Sequence, residues 1–112
     1  MIIKQLDAIE RTGVSHNASI KKRVMLSPGE LAGVIQFAQS VFPPGAVAGE
    51  HRHEDMAEVF LVESGQGHIA IEGREHALAP GTCVVVEVGE TNELCNTGES
   101  DLMVTYFGVQ MA

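Results

Sequence analysis

The sequence predicts an all-β domain, either a sandwich or a barrel of antiparallel strands. Short apolar or alternating runs follow one another along the 112 residues, and turns rich in Gly, Pro and Asn separate them. Twelve glycines and four prolines supply the backbone conformations that such turns need. A chain of this length is the size of one domain, with room for one hydrophobic core but not for two.

Seven segments are predicted to be strands, because each is apolar or alternating and has turn residues on both sides. In chain order they are residues 22–26, 33–41, 59–62, 68–72, 82–87, 93–95 and 102–109. A weak helical pattern at residues 5–11 is the only helix candidate. We therefore expect less than about a tenth of the chain to be helical.

Two of these segments alternate between apolar and polar residues. In residues 33–41 the apolar face contains Ile35, Phe37 and Val41, and in residues 68–72 it contains Ile69 and Ile71. A strand with one apolar face is typical of antiparallel sheets, in which one face packs on the core. The pattern therefore predicts that these apolar faces are buried.

The charge is unevenly distributed. The net charge is −8, yet five of the seven basic residues lie in the first 23 positions, and from residue 24 onward the charge is −11. An acidic body repels phosphate backbones, so we expect no nucleic-acid partner. The basic N-terminal region is instead expected to meet an acidic surface.

The apolar runs are too short to span a membrane, and charged residues interrupt the N-terminal region where a signal peptide would be apolar. We therefore expect a cytoplasmic protein with no membrane partner. Cys83 and Cys95 are too few for a disulfide framework and have apolar neighbours. Both are expected to be reduced and mostly buried.

A candidate metal site lies at residues 51–58. His51 and His53 are two positions apart, so on an extended strand both imidazoles project to one face with their Cα atoms about 7 Å apart. A bend in the polar segment 54–57 would bring Glu58 back towards them. Two imidazoles and a carboxylate leave coordination positions for water, substrate or dioxygen. The alternative is an exposed polar strand, since residues 50–55 are hydrophilic throughout.

The residues around this cluster resemble the signature motifs of the cupin superfamily. Residues 45–65 read Gly45-x5-His51-x-His53-x4-Glu58-x6-Gly65, which is similar to the first motif at every specified position. Residues 81–96 resemble the second motif, with Gly81, Gly89 and Asn96 at the matching spacings. They depart from it at Glu87, where the family has Pro, and at Asn92, where it has the last metal-binding His.

The resemblance implies a small single-domain cupin over residues 1–112, with residues 1–30 as an N-terminal arm and edge strands. The implied fold is a double-stranded β-helix, or jelly-roll barrel, with the metal ligands pointing into its mouth. By this resemblance His51, His53, Glu58 and Asn92 are the metal ligands. Two imidazoles and a carboxylate favour Mn, Fe, Ni, Cu or Zn over Mg or Ca.

An amide oxygen is a poorer ligand for these ions than an imidazole. The sequence therefore supports a weakened site, or one completed by water, as well as a full site, and family members that have lost a histidine often retain the fold without the metal. Asn92 is equally well interpreted as a turn residue. Glu87 and Glu90 flank Gly89 near the expected mouth. Either is able to replace the missing histidine as a ligand or base, or to lie at the surface.

Two functions are compatible with these residues. The first is a metal-dependent enzyme acting on a small organic molecule, similar to the dioxygenases, isomerases and decarboxylases of the superfamily. The second is a non-catalytic binder or sensor of a small ligand with a degenerate, metal-free site. The cupin fold does not decide between them, because it supports many activities. The resemblance also implies a homodimer.

Overall fold

The protein is built almost entirely from β-strands. In the computed structural model, which describes residues 1–14 and 17–111, one 3-10 turn at Leu6–Ala8 precedes the strands. The strands are β1 (Thr12–Val14), β2 (Asn17–Leu26), β3 (Val34–Phe42), β4 (Val47–His51), β5 (Met56–Ser64), β6 (Gly67–Ile71), β7 (Arg74–Leu78), β8 (Cys83–Val86), β9 (Asn92–Cys95) and β10 (Leu102–Gln110). The all-β prediction is confirmed.

The strands form two antiparallel sheets that pack against each other as a jelly-roll barrel. The six-stranded sheet has the order β1-β2-β3-β10-β5-β8, and the four-stranded sheet has the order β4-β9-β6-β7. Each half of the chain contributes to both sheets, which is the pairing of a double-stranded β-helix. The first and second motifs therefore lie side by side, with β4 paired to β9 and β5 paired to β8.

The core lies between the two sheets and is made of alternate residues from both. On β5 the inward side chains include Phe60 and Val62, and on β10 they include Leu102 and Val104, all buried. Ile69 on β6 is fully buried opposite them. Because the aromatic residues are few, branched aliphatic side chains fill most of this space.

The prediction for the faces of β3 was wrong. Ala38, Ser40 and Phe42 are the buried, inward residues, whereas Phe37 and Val41 lie on the outer face and are only half-buried. Gln36, Ser40 and Phe42 line the cavity inside the barrel, so polar as well as apolar side chains point inward on this strand. Phe37 and Val41 then lie on the outside of the six-stranded sheet.

Three strands were not predicted: β1, β4 and β7. β1 has only three residues, and β4 contains Gly49 and Glu50 in its short span. β7 is an edge strand with four exposed residues out of five. Since none of them shows an alternating apolar pattern, their pairing depends on neighbouring strands rather than on local sequence.

The expectation of buried thiols was wrong for Cys83. This residue is exposed on β8, and Cys95 on β9 is half-buried, with no disulfide between them. Both belong to strands whose alternate residues point out of the barrel, so apolar neighbours in sequence do not imply burial. None of the helical segments among the described residues is long and apolar enough to cross a membrane.

Candidate metal centre

Two sheets and a loop bring the predicted ligands together. His51 is the last residue of β4, His53 lies in the following loop, and Glu58 is on β5 in the other sheet. The prediction that one strand holds both histidines was therefore wrong for His53. Their rings nevertheless converge, with centroids 5.2 Å apart and planes at 74°. The ligand atoms of His51, His53 and Glu58 all lie within 4.8 Å of one another.

Backbone hydrogen bonds hold the loop that contains His53. The N–H of Gly89 donates to the His53 carbonyl at 2.8 Å, and the N–H of Met111 donates to the Asp55 carbonyl at 2.9 Å. Gly89 has a φ of +81°, a conformation that glycine adopts without strain. The second-motif glycine thus positions a ligand that belongs to the first motif.

The protonation of His51 is set by its own strand. Its Nδ1 lies 2.9 Å from the carbonyl oxygen of Gly49. A carbonyl oxygen only accepts hydrogen bonds, so Nδ1 has a proton and Nε2 is the nitrogen that remains to bind a metal ion. This is the arrangement in which histidines commonly bind metals, with the second nitrogen held by a backbone carbonyl.

Glu58 is a buried carboxyl group with an unsatisfied oxygen. The residue is 7% exposed, and its Oε1 lies 3.2 Å from Nε2 of His53. The two atoms are not aligned as a hydrogen bond, and among the described residues Oε1 has no hydrogen-bond partner. Burial raises the pKa of Glu58, while the nearby His53 and His51 oppose that shift. A cation at this position would satisfy the oxygen and favour the charged form.

The three side chains fit a divalent transition metal ion. Bonds of about 2.0–2.2 Å to imidazole nitrogen and carboxylate oxygen place two ligand atoms on one ion at most about 4.4 Å apart. The observed spread of 4.8 Å is close to this limit, so small side-chain rotations suffice to close it. The donor set, the orphaned Oε1 and the His51 tautomer all agree with such an ion.

Asn92 lies in the wall of the same cavity. It is 1% exposed and pairs directly with His51 between β9 and β4. Its Nδ2 donates to the His51 carbonyl at 3.3 Å. That hydrogen bond leaves Oδ1 as the atom able to meet an ion. Ligation by Asn92 itself stays a prediction.

The cavity has a volume of about 340 Å³ and contains polar residues that the sequence analysis did not single out. Besides the predicted ligands, Lys22, Gln36, Ser40 and Tyr106 line it. They come from β2, β3 and β10 of the six-stranded sheet. Their signal in the sequence is weak, because each is one inward residue of an alternating strand.

Tyr106 is held in a defined orientation beside Glu58. Its ring stacks on Phe60, with centroids 5.7 Å apart and planes at 29°. Burial raises the pKa of Tyr106, the charge of Glu58 raises it further, and a hydrogen bond with Ser40 opposes the shift. The phenol therefore keeps its proton at neutral pH.

Glu87 and Glu90 do not join this group. Glu87 is exposed, and the Glu90 carboxylate accepts the N–H of Glu87 at 2.8 Å. Neither lines the cavity. The Glu90 carboxylate stabilises the turn between β8 and β9, and Glu87 lies at the surface.

The sequence of this chain matches a known protein family. The sequence model of the family described as Cupin domain matches residues 38–108, which include both motifs. The chain belongs to the cupin family. This match confirms the resemblance that the glycine and histidine spacings predicted.

Two Thermotoga maritima proteins are similar to this cupin. An oxalate-binding protein is 32% identical over 66 residues, which cover 59% of this chain and 54% of that protein. The matched region thus spans about half the length of the curated relative. A crystal structure of a "predicted oxalate decarboxylase" superposes with a TM-score of 0.92 at 22% identity, covering 98% of this chain and 100% of that one.

A second similar structure is named for a different activity. It is a sugar phosphate isomerase of the cupin superfamily from Silicibacter pomeroyi, with a TM-score of 0.81 at 21% identity, covering 94% of this chain and 73% of that one. Both structural likenesses show the fold alone, because fold and activity vary independently at this distance.

Proposed function

We propose that this cupin binds a divalent transition metal ion through His51, His53 and Glu58 and uses it to bind and act on a small organic acid. The observation that supports this most directly is the convergence of their ligand atoms to within 4.8 Å. Water and a bidentate acid would complete the coordination, with Asn92 as a weak fourth ligand. Mn, Fe, Ni, Cu and Zn are the ions that this donor set favours.

The surroundings of the site suit chemistry on such an acid. When bound, a divalent ion supplies Lewis-acid polarisation of an oxygen in the substrate. Tyr106 retains its proton and can donate a hydrogen bond to that oxygen. The likeness to an oxalate-binding protein supports a carboxylate as the ligand. We propose a reaction of the decarboxylase, isomerase or dioxygenase type.

Calorimetric titration of metal-free protein with Zn, Mn and Ni tests the site. We expect stoichiometric binding by the wild type. Loss of a residue that only hydrogen-bonds to a metal ligand lowers metal affinity by roughly 10- to 100-fold. His51→Ala removes a proposed ligand itself, so it should lower the metal affinity by more than that. Asn92→His should tighten it, because imidazole is the stronger donor. His76→Ala is the control, since His76 is exposed and outside the cavity. Unchanged affinity in His51→Ala would show that the site is wrong.

A second candidate is a non-catalytic binder of a small ligand without a metal. The observation that favours it is Asn92, whose amide is already engaged by the backbone of His51 at 3.3 Å. In this case Asn92→His would have little effect, and no variant would hold stoichiometric metal. The same titrations therefore separate the two candidates.

We also propose that two copies pair through the outer face of the six-stranded sheet. Phe37, Phe107, Val59 and Val85 lie side by side across β3, β10, β5 and β8, and Val85 is 54% exposed. The six strands contain 44 residues. At about 3.4 Å per residue and about 4.8 Å between strands they give a face of about 700 Å², close to the roughly 800 Å² per partner of a standard interface.

Charge supports a second copy as the partner. The exposed Lys21 lies on β2 towards one edge of this face, and the exposed Glu87 follows β8 at the other edge. Their registers also put Lys21 and Glu87 near opposite ends of the strands, so a twofold axis in the plane of the face and diagonal to the strands places Lys21 of one copy near Glu87 of the other. Such a symmetric pairing is the commonest form of soluble oligomer.

We further propose that residues 1–112 form one cupin domain located in the cytoplasm and that nucleic acid is not a partner. The two thiols without a disulfide support the location, and the acidic body supports the absence of a nucleic-acid site.

A further inference from the structure

Lys22 is a cation inside the barrel. It lies on β2 two residues after Ile20, which is fully buried, so alternation along the strand directs Lys22 to the same inner face. It is half-buried and lines the cavity that contains His51, His53 and Glu58. On the neighbouring strand it pairs with Ser40, another lining residue.

Within the part of the chain that the structure describes, the side chain of Lys22 makes neither a hydrogen bond nor a salt bridge. Other basic side chains do meet carboxylates: Lys4 lies 2.8 Å from Glu30, and Arg52 lies 2.8 Å from Glu54. In a protein with a net charge of −8, a half-buried lysine whose side chain makes no ion pair with a carboxylate is unusual. Its position suits an anion that enters the cavity.

We propose that Lys22 binds a second carboxylate of the ligand and thereby makes the site selective for small dicarboxylates. The inference rests on the proposed function, because the first carboxylate is taken to bind the metal. A divalent ion on the Glu58 carboxylate leaves one net positive charge at the metal centre, and Lys22 adds another. Two cationic centres in one cavity complement a dianion rather than a monocarboxylate.

The size and lining of the cavity agree with this class of ligand. A volume of about 340 Å³ is at the small end of ligand pockets, which run from about 300 to 1,000 Å³. Gln36 and Ser40 lie on the strand next to Lys22 and offer further hydrogen-bond partners to a carboxylate. Apolar residues such as Phe60, Leu94 and Val104 form the rest of the wall and suit a short carbon chain.

Calorimetry with matched acids tests the role of Lys22. Malonate is compared with propionate, and succinate with butyrate, each on metal-free and on Zn-loaded protein. In wild type we expect the dicarboxylate of each pair to bind more tightly. Lys22→Met should weaken dicarboxylates by about 10- to 100-fold, the cost of losing a hydrogen bond to a charged group, and leave monocarboxylates nearly unchanged. Lys22→Arg should retain most of the preference.

Lys21→Met is the matched control, because Lys21 is the exposed neighbour on the outer face. Zn affinity and thermal unfolding of every variant are measured in parallel. If Zn binds but Lys22→Met leaves dicarboxylate affinity intact, or weakens both acids equally, the inference is overturned and the metal site stands. If Zn does not bind, the proposed function fails. Absence of dicarboxylate binding by the wild type in both forms overturns the inference whatever the Zn result.

Discussion

Glu58 is an ionisable residue in a buried position that solvates it poorly. A carboxyl group that is 7% exposed loses most of its hydration, and its Oε1 has no hydrogen-bond partner among the described residues. The neighbouring imidazoles of His51 and His53 compensate only in part, because burial is the largest influence on its pKa. A buried carboxyl group of this kind lowers the free energy of unfolding of the metal-free protein. A bound cation would offset that cost.

At the residue scale we expect Glu58→Gln to change how the stability of the metal-free protein depends on pH. The folded pKa of Glu58 is raised above its ordinary value of 4.5, so its ionisation is harder in the folded state. The contribution of protonated Glu58 to the free energy of unfolding is present in full below pH 4.5. It is lost as the pH rises through the folded pKa. Gln does not titrate. As the pH rises through the folded pKa of Glu58, the free energy of unfolding of the variant should therefore increase relative to that of the wild type.

Denaturant unfolding between pH 4 and pH 8 with a chelator present measures this difference. Glu75→Gln is the control, because Glu75 is exposed on β7. Parallel stability curves for wild type and Glu58→Gln would contradict the assignment of a raised pKa.

The second motif contains two buried asparagines, Asn92 and Asn96, that lie four positions apart and have different roles. Asn92 begins β9 in the cavity wall, whereas Asn96 follows that strand and is 2% exposed. The Nδ2 of Asn96 donates to the carbonyls of Phe42 and Ser100, both at 2.8 Å, and its Oδ1 accepts the N–H of Gly98 at 2.8 Å. Asn96 therefore ties the end of β3 to the turn before β10.

We expect Asn96→Ala to destabilise the fold by about 2–4 kcal/mol, because the buried carbonyl of Phe42 loses its partner together with two other hydrogen bonds. Thr97→Ala, at the exposed next position, should change the free energy of unfolding by less than about 0.5 kcal/mol. Urea unfolding measures both. Equal stabilities would show that the Asn96 hydrogen bonds do not hold the turn.

For the whole molecule, the cavity decides what lies outside the barrel. The inward positions of β3 at the cavity include the polar Gln36 and Ser40, whereas Phe37 lies on the outer face, where it meets Phe107 edge-on with ring centroids 6.3 Å apart. Leu61 and Val85 extend this apolar surface and are 43% and 54% exposed. The same arrangement that opens the site therefore creates the surface proposed for pairing.

We expect light scattering at micromolar concentration to give the mass of a dimer, and Val85→Asp to shift it to a monomer, since a charge buried within an apolar interface is costly to desolvate. Val47→Asp is the matched control, because Val47 is 41% exposed on the other sheet. A monomeric wild type, or a dimer that survives Val85→Asp but not Val47→Asp, would rule out this face.

The spacing of turn residues and short apolar runs determined the all-β class, since turn chemistry and strand alternation are local properties. The spacing from Gly45 to Gly65 likewise determined the family and singled out the three side chains that the structure brings together, His51, His53 and Glu58. Both conclusions depend on residues close together in the chain. The roles of Asn96 and Gly89 were less evident, because their partners lie 54 and 36 positions away.

Only the tertiary structure decided which face of each strand is inside. Alternation separates two faces but does not say which one borders the core, so Phe37 was misplaced and Lys22 and Tyr106 went unnoticed. The same holds for the strands β4 and β7, whose sequences are polar and whose pairing depends on β9 and β6. The physical reason is that burial is a property of the closed barrel: a side chain is inside only because strands distant in sequence surround it.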